Sequence, residues 1–348
     1  MTSLRLATWN VEWFNALFDD DGRLLDDDGW SGRWGVTRAD QIAALGRVFR
    51  ALDADAIMVI EAPDTSRQRR TTLALETFAE TFGLRTKTAL IGFPNDTQQE
   101  IALLYDSTRV AAAHTPGGSA AVPRFDGAYL ADLDHDAQPD PIRWSKPPLE
   151  VTLTPQGDAP LTLIGVHAKS KAAHQTGTAA HLLRVNIENR RKQLAQCVWL
   201  RARVDEVLAA GQPLIVMGDF NDGPGLDEFE ALFGRSGVEI VLGEGASVPL
   251  FDPHARQALS GRIAAQPATA RFQHGGVYLS ALLDYIMVSP DIATTAPRWT
   301  IWHPFDTPAC YGDPVLREAL LTASDHFPVT LDLALPLATG SRDPTSDI

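Results

Sequence analysis

The stretch LIVMGDFND, residues 214–222, decides how this chain folds. Its first residues form an apolar run of strand length, and a run apolar on both faces belongs to a strand inside a layered fold. Asp219 and Asn221 end that run, where chain leaves sheet and a site can be built. The pattern recurs in both directions along the sequence. It predicts strands at residues 4–11, 56–60, 101–105, 149–153 and 161–167 before this stretch, and at 283–288 and 329–335 after it.

Helical stretches lie between some of these strands. Residues 37–52 place Ile42, Leu45, Val48 and Phe49 on one stripe. Residues 187–208 do the same with Leu194, Val198, Val204 and Leu208, and their other face carries Arg190, Arg191, Lys192, Arg201 and Arg203. Residues 71–81 read as a third helix. Strands mixed with helices throughout predict α/β layers. Composition does not change at any point that would separate two domains, so one catalytic domain is expected over residues 1–338, with a frayed polar tail at 339–348. Long polar loops are expected at 15–38, 131–148 and 243–271.

The 348 residues include 44 acidic and 30 basic side chains, giving a net charge of −14. With 45% hydrophobic and 21% charged residues, the chain is a globular protein and not a disordered, coiled-coil or collagen-like one. No apolar run reaches the ~20 residues that span a bilayer, and MTSLRLATWN lacks the layout of a signal peptide. Cys197 and Cys310 are too few for a disulfide framework or a four-thiolate zinc site. A cytoplasmic protein without a membrane anchor or an obligate protein partner is expected. The negative charge disfavours passive binding of a polyanion, so an enzyme acting on phosphates would need divalent cations or a local basic cluster.

Polar residues collect at the strand ends. Asn10 and Glu12 follow the first strand, Glu61 ends the second, and His167 ends the strand at 161–167. Asp284 stands at the head of the strand at 283–288, and Asp325 and His326 precede the last one. Each alone reads as a cap or turn residue; six such placements in one chain point to a site.

These residues sit in the strings TWNVEWF (8–14), VIEAPD (59–64), GVHAKSK (165–171), MGDFND (217–222), LLDYIMVS (282–289) and SDHFPV (324–329). In order and spacing they resemble the endonuclease/exonuclease/phosphatase superfamily over residues 4 to about 335. The resemblance implies a four-layer α/β sandwich, two mixed sheets packed face to face with helices outside. It further implies divalent-metal-dependent hydrolysis of phosphodiesters, most simply by a nuclease of broad specificity, with a phosphatase or phosphodiesterase for small or lipid phosphoesters as the alternative.

The resemblance implies a role for each residue. Glu61 and Asn10 would hold Mg²⁺ or Mn²⁺, which favour hard oxygen ligands, with Glu12 and Asp325 as further acidic positions near the metal. Asp219 would orient or deprotonate the attacking water, and Asn221 would donate to a phosphoryl oxygen. Asp284 would fix His326 and favour its cationic form. His167 would contact the phosphate or leaving group, Arg143 would face the phosphate, and Lys169 would neutralise it. DNA or RNA, if a substrate, would be gripped weakly, because the candidate basic residues are few.

Other features read as structural. His174 and His181 carry no motif. Lys169 and Lys171 also suit a solvated surface, and Glu12 also suits an exposed strand position. Trp30 and Trp34 are expected to pin their loop to the core. The acids 19–21 and 26–28 read as a solvated hairpin around Leu24 and Leu25. Asp132, Asp134, Asp136, Gln138 and Asp140 alternate like a calcium loop, but the turn glycine is replaced by Ala137 and the final glutamate by Arg143.

Overall fold

All eight expected strands form, with ends within two residues of the expected positions over the residues described. The computed structural model describes residues 3–131, 139–171, 177–223, 233–246, 248–260, 266–274 and 276–334. The calcium-like acids 132–138 and the polar tail lie outside them.

One sheet has six strands. Their spatial order is β14 (Arg298–Ile301), β15 (Val329–Ala334), β1 (Ser3–Asn10), β2 (Ala56–Ala62), β4 (Glu100–Tyr105) and β3 (Thr88–Ile91). The other has five, in the order β13 (Asp284–Val288), β10 (Leu214–Asp219), β9 (Leu161–His167), β8 (Leu149–Pro155) and β5 (Val110–His114). Two short hairpins, β6 (Tyr129–Ala131) with β7 (Asp140–Ile142) and β11 (Ala270–His274) with β12 (Val277–Ala281), complete the strands described. Each large sheet has one parallel pair, β1–β2 and β9–β10, with antiparallel neighbours around it. The sheets pack face to face through β1, β2 and β4 against β10, β13 and β9. Their approach is close at Gly165, where an added Cβ would stand 2.4 Å from Met58 Sδ.

The helices α1 (Arg38–Leu52) and α2 (Thr71–Thr81) cover the six-stranded sheet, and Pro314–Ala323 packs along α1. The long helix α3 (Ala179–Ala209) lies on the five-stranded sheet. The fold is therefore a four-layer α/β sandwich. Thr37 caps α1 by accepting from the Asp40 N–H, and Phe49 brings the buried face of α1 against Trp9, with ring centroids 5.1 Å apart.

Three departures from expectation have local causes. The strands β3, β5 and β14 are short sheet edges with half-buried residues, and the runs 89–91 and 110–113 are too short or too alanine-rich to stand out. The helix Pro314–Ala323 was signalled by Asp313, whose side chain accepts from Val315 and Leu316, followed by proline at the first helical position. The polar-looking loop 15–38 opens with a 3₁₀ turn at Phe14–Leu17 that buries Phe14, Leu17 and Phe18.

The basic face expected on α3 is largely interior. Arg190 is fully buried in an ion pair with Asp222 at 2.7 Å, Arg201 caps the carbonyls of Val241 and Leu242, and Arg203 pairs with Glu150. The helix also begins eight residues earlier than expected, with Thr178 as its cap and His181 in its first turn. Arg191 and Lys192 remain exposed.

Candidate active site

Parallel neighbours end at the same edge of a sheet, and this places the polar residues. Asn10 lies beside Ile60 at the end of β1–β2, so Asn10 and Glu61 emerge together. His167 and Asp219 are directly opposite at the end of β9–β10, and Asp284 is opposite Asp219 across the antiparallel β10–β13 pair. Face-to-face packing brings the two ends into contact. Asn10 Nδ2 donates to Asp219 Oδ2 at 2.9 Å and reaches Glu61 Oε1 at 3.5 Å.

Backbone irregularities aim two of these side chains. The β2–β4 ladder bulges between Ile60 and Ala62, and Glu61 sits there at φ 62°. Asn221 is at φ 49°, a conformation asparagine tolerates. Its backbone N–H donates to Asp219 Oδ1 at 2.7 Å. Its amide donates to Asp219 Oδ2 and to the Ala168 carbonyl, both at 3.1 Å, so here it holds Asp219 in place rather than facing outward.

Burial dominates the electrostatics of the carboxylates, against the pull of nearby cations. Burial pushes the Asp219 carboxyl up to about 7, against the nearby His326 charge. Burial also raises Glu61, and burial with the neighbouring Asp325 raises Glu12 to about 7. Asn10 Oδ1, Asp284 Oδ1 and Asp325 Oδ1 are buried with no hydrogen-bond partner. These are oxygen donors that a cation would satisfy.

The two histidines differ in charge. His326 Nδ1 donates to Asp284 Oδ2 at 2.7 Å with both groups buried. Burial opposes its charge, yet Asp284 holds it well above the usual histidine range. His167 is pushed well below that range by burial and by the Lys146 cation. Lys146 Nζ is 3.3 Å from His167 Nε2, so the neutral ring accepts there and its Nδ1 is left buried without a partner. Asp219, Asp284 and His326 could group around one ion. A His326 protonated against Asp284 has no free lone pair, however, and a better cation seat lies at Glu61 and Asn10.

Ser324 ties the first and last motifs together. Its hydroxyl donates to the Asn10 carbonyl at 2.8 Å and accepts from the His326 N–H at 3.1 Å. Trp9 Nε1 donates to the His326 carbonyl.

Arg143 is exposed and donates to the Gly127 carbonyl, whereas Lys146, three residues on and entering β8 past Pro147 and Pro148, reaches His167. Burial lowers the Lys146 pKa, although Glu61 and Asp219 work to raise it. Lys169 is half-buried at the edge of the cluster, with its backbone N–H bound to Gln196. Glu12 is engaged by Arg33 from the loop after β1, and Gln99 Nε2 donates to Glu61 Oε2 at 2.6 Å. Neither partner carried a motif. The expectation that Trp30 and Trp34 pin their loop is overturned: they are 71% and 94% exposed.

Buried carboxylates beside a carboxylate-held cationic histidine, at one edge of an α/β sandwich, define a hydrolase of phosphoesters. A model of the Endonuclease/Exonuclease/phosphatase family matches residues 7–326, and the chain belongs to that family. No curated protein matches the sequence. Among solved structures, the fold is similar to a 3′-5′ exonuclease from Neisseria meningitidis, with TM-score 0.51 and 16% identity over 95% of this chain and 99% of that one. It is also similar to a Bacteroides thetaiotaomicron mannosyl-6-phosphatase, with TM-score 0.50 and 15% identity over 95% and 99%. Among the described residues, no helix is long and apolar enough to cross a membrane.

Proposed function

We propose that this protein is a divalent-metal-dependent phosphodiester hydrolase, a nuclease-type enzyme of broad specificity. The observation that carries this reading is the Asn10–Asp219 bond, which closes two strand ends into one buried, carboxylate-rich cluster. Glu61 and Asn10 would hold Mg²⁺ or Mn²⁺, with Asp325 nearby and Glu12 as an outer carboxylate balanced by Arg33. The orphaned oxygens and raised carboxyls fit such an ion. When bound, the ion supplies Lewis-acid polarisation of a phosphoryl oxygen.

This chain's own residues do the rest. Asp219, oriented by Asn10 and Asn221 and poised near neutrality, accepts a proton from the attacking water. Lys146 brings a positive charge to the phosphoryl oxygens beside neutral His167. His326, held cationic by Asp284, stabilises negative charge that develops on a phosphoryl oxygen or on the leaving oxygen. Both cysteines described are free and buried, which suits the cytoplasm as the place of action.

The alternative is a phosphatase or phosphodiesterase for small or lipid phosphoesters. The net charge of −14 and the burial of Arg190 favour it, because both limit the grip on a long polyanion. One panel tests both readings: chelated enzyme resupplied with Mg²⁺ or Mn²⁺, on plasmid DNA, RNA, bis-p-nitrophenyl phosphate and p-nitrophenyl phosphate. The proposal expects metal-restored turnover of the diesters. Full activity in excess EDTA would overturn the metal dependence, and turnover of either nitrophenyl ester with neither DNA nor RNA cut would establish the alternative.

A further inference from the structure

The two carboxylate oxygens of Glu61 meet different surroundings. Oε1 turns into the cluster, 3.5 Å from Asn10 Nδ2 and 3.7 Å from His167 Nε2. Oε2 accepts from Gln99 Nε2 at 2.6 Å. Gln99 ends the connection between β3 and β4, and it is half-buried next to the bulge that aims Glu61. On the cluster side, Asn10 Oδ1 is buried without a hydrogen-bond partner, whereas Glu61 Oε2 already holds a donor.

The loop that delivers Gln99 is braced from within. Glu100 is 2% exposed, and its carboxylate accepts from the N–H groups of Asn95 at 3.3 Å and Thr65 at 3.4 Å, and from Asn95 Nδ2 at 2.7 Å. One buried side chain therefore ties the loop after Glu61 to the loop before Gln99. Asn95 Nδ2 also donates to the Gln99 carbonyl at 3.1 Å, and Asn95 Oδ1 accepts from the Thr97 N–H at 2.8 Å. Gln98 takes φ 61°, a left-handed conformation that persists only where surrounding contacts impose it. A glutamine loses much rotamer freedom when it is fixed, so a contact this short needs a backbone already held in place.

We infer that Gln99 is a positioning residue that sets which cation the site prefers: by holding Glu61 Oε2 it leaves Glu61 one oxygen for the ion, which favours Mg²⁺ or Mn²⁺ over Ca²⁺. The inference rests on the metal-dependent reading above and deepens it. Mg²⁺ demands near-ideal octahedral geometry, keeps several waters and binds through few carboxylates; Mn²⁺ also suits an octahedral oxygen site. Ca²⁺ gathers roughly six to eight oxygens and readily takes a carboxylate through both of them. One amide oxygen from Asn10 and one carboxylate oxygen from Glu61 fit the first pattern. A ligating carboxylate that is itself hydrogen-bonded is also fixed in direction, which matters most for an ion with strict geometry.

A displacement titration tests this. Gln99→Met keeps the length of the side chain and removes the donor. The chelated, desalted full chain is titrated with Mn²⁺, with the free ion read by electron paramagnetic resonance. Mn²⁺ whose binding is lost in Glu61→Gln counts as bound at this site, and Ca²⁺ is then added to displace it. The inference expects the Mn²⁺ Kd to rise about 10- to 100-fold in Gln99→Met, as for lost groups that orient a metal ligand. The Ca²⁺ Kd from displacement should change by less than about threefold, because the freed oxygen offers Ca²⁺ a second contact. Asn95→Ala leaves Gln99 and Glu61 unaltered and only loosens the loop, so it should shift the preference in the same direction by less. An unchanged Mn²⁺/Ca²⁺ preference in Gln99→Met overturns the inference, even if both affinities fall, because a merely structural role would weaken both ions alike. If the parent binds no Mn²⁺ that depends on Glu61, the metal-dependent reading itself falls and the inference with it. That outcome is distinct from a parent that binds Mn²⁺ and a variant with unaltered preference.

Discussion

Asp219 and Asp222 stand three residues apart on the same turn, 1% and 0% exposed, and the protein treats them in opposite ways. Asp222 accepts from Arg190 at 2.7 Å and Lys171 at 2.8 Å, and from the backbone N–H groups of Gly237 at 2.6 Å and Gly223 at 2.9 Å. Among the described residues, Asp219 has only neutral donors within hydrogen-bonding reach, the amides of Asn10 and Asn221 and one backbone N–H, and burial pushes it up to about 7. A buried carboxylate neutralised from within fixes the loop. One left to be neutralised from outside marks where chemistry takes place.

Substituting each aspartate breaks or sharpens this comparison. Asp219→Asn should lower kcat by ~10²–10⁴-fold while leaving the melting temperature unchanged or higher, since a strained buried charge is removed. Asp222→Asn should do the reverse. It strands the fully buried Arg190 and should cost about 3–5 kcal/mol of stability, read by denaturant unfolding, with kcat of the folded enzyme within roughly tenfold of the parent. If the two variants lost activity and stability in the same proportion, the division between site and scaffold would fail.

A smaller effect is expected from the histidine couple. His326→Ala and Asp284→Ala remove parts of one unit, so a double-mutant cycle on kcat should show a coupling of about 1–3 kcal/mol. Additive losses would separate the two side chains. Arg190 and Asp222 should couple in unfolding measurements but not in kcat.

The smallest effect is a pH dependence of stability without metal. Glu12 and Asp219 bind protons up to about 7 in the folded state, and Glu61 is raised as well, above ordinary carboxyl values near 4. Between those limits the folded state holds more protons than the unfolded one, so stability falls as pH rises through about 7. His326, also raised, pushes in the same direction; His167, held neutral, opposes it below about 6.5, the ordinary histidine value. The chelated protein should therefore melt lower at pH 8 than at pH 6. Mg²⁺ or Mn²⁺ should recover most of the difference at pH 8 in thermal melts. A melting temperature that rises over this interval in EDTA would show that these carboxyls are not strained.

The two aspartates also show where sequence reading stops. Both stand in GDFND, and the sequence signals that polar groups follow a buried strand. It does not signal that Arg190, thirty-two residues earlier on a helix face that reads as basic and solvated, will neutralise only the second. Three more partners were hidden for the same reason. Arg33, Gln99 and Lys146 reach Glu12, Glu61 and His167 from loops, and loop side chains have no periodicity to show their direction.

The sequence alone determined the eight main strands, the helices α1 and α2, and the strand-end positions of Asn10, Glu61, His167, Asp219, Asp284 and His326. Those follow from local rules, because apolar runs must be buried and polar residues gather where the backbone leaves a sheet. Only the tertiary structure decided that two separate sheet edges meet through Asn10 and Asp219, that Lys146 reaches His167, and that Trp30 and Trp34 stay exposed. Each of these depends on the packing of segments far apart in the chain, and on whether a buried charge finds its counter-charge inside the protein or must take it from a ligand.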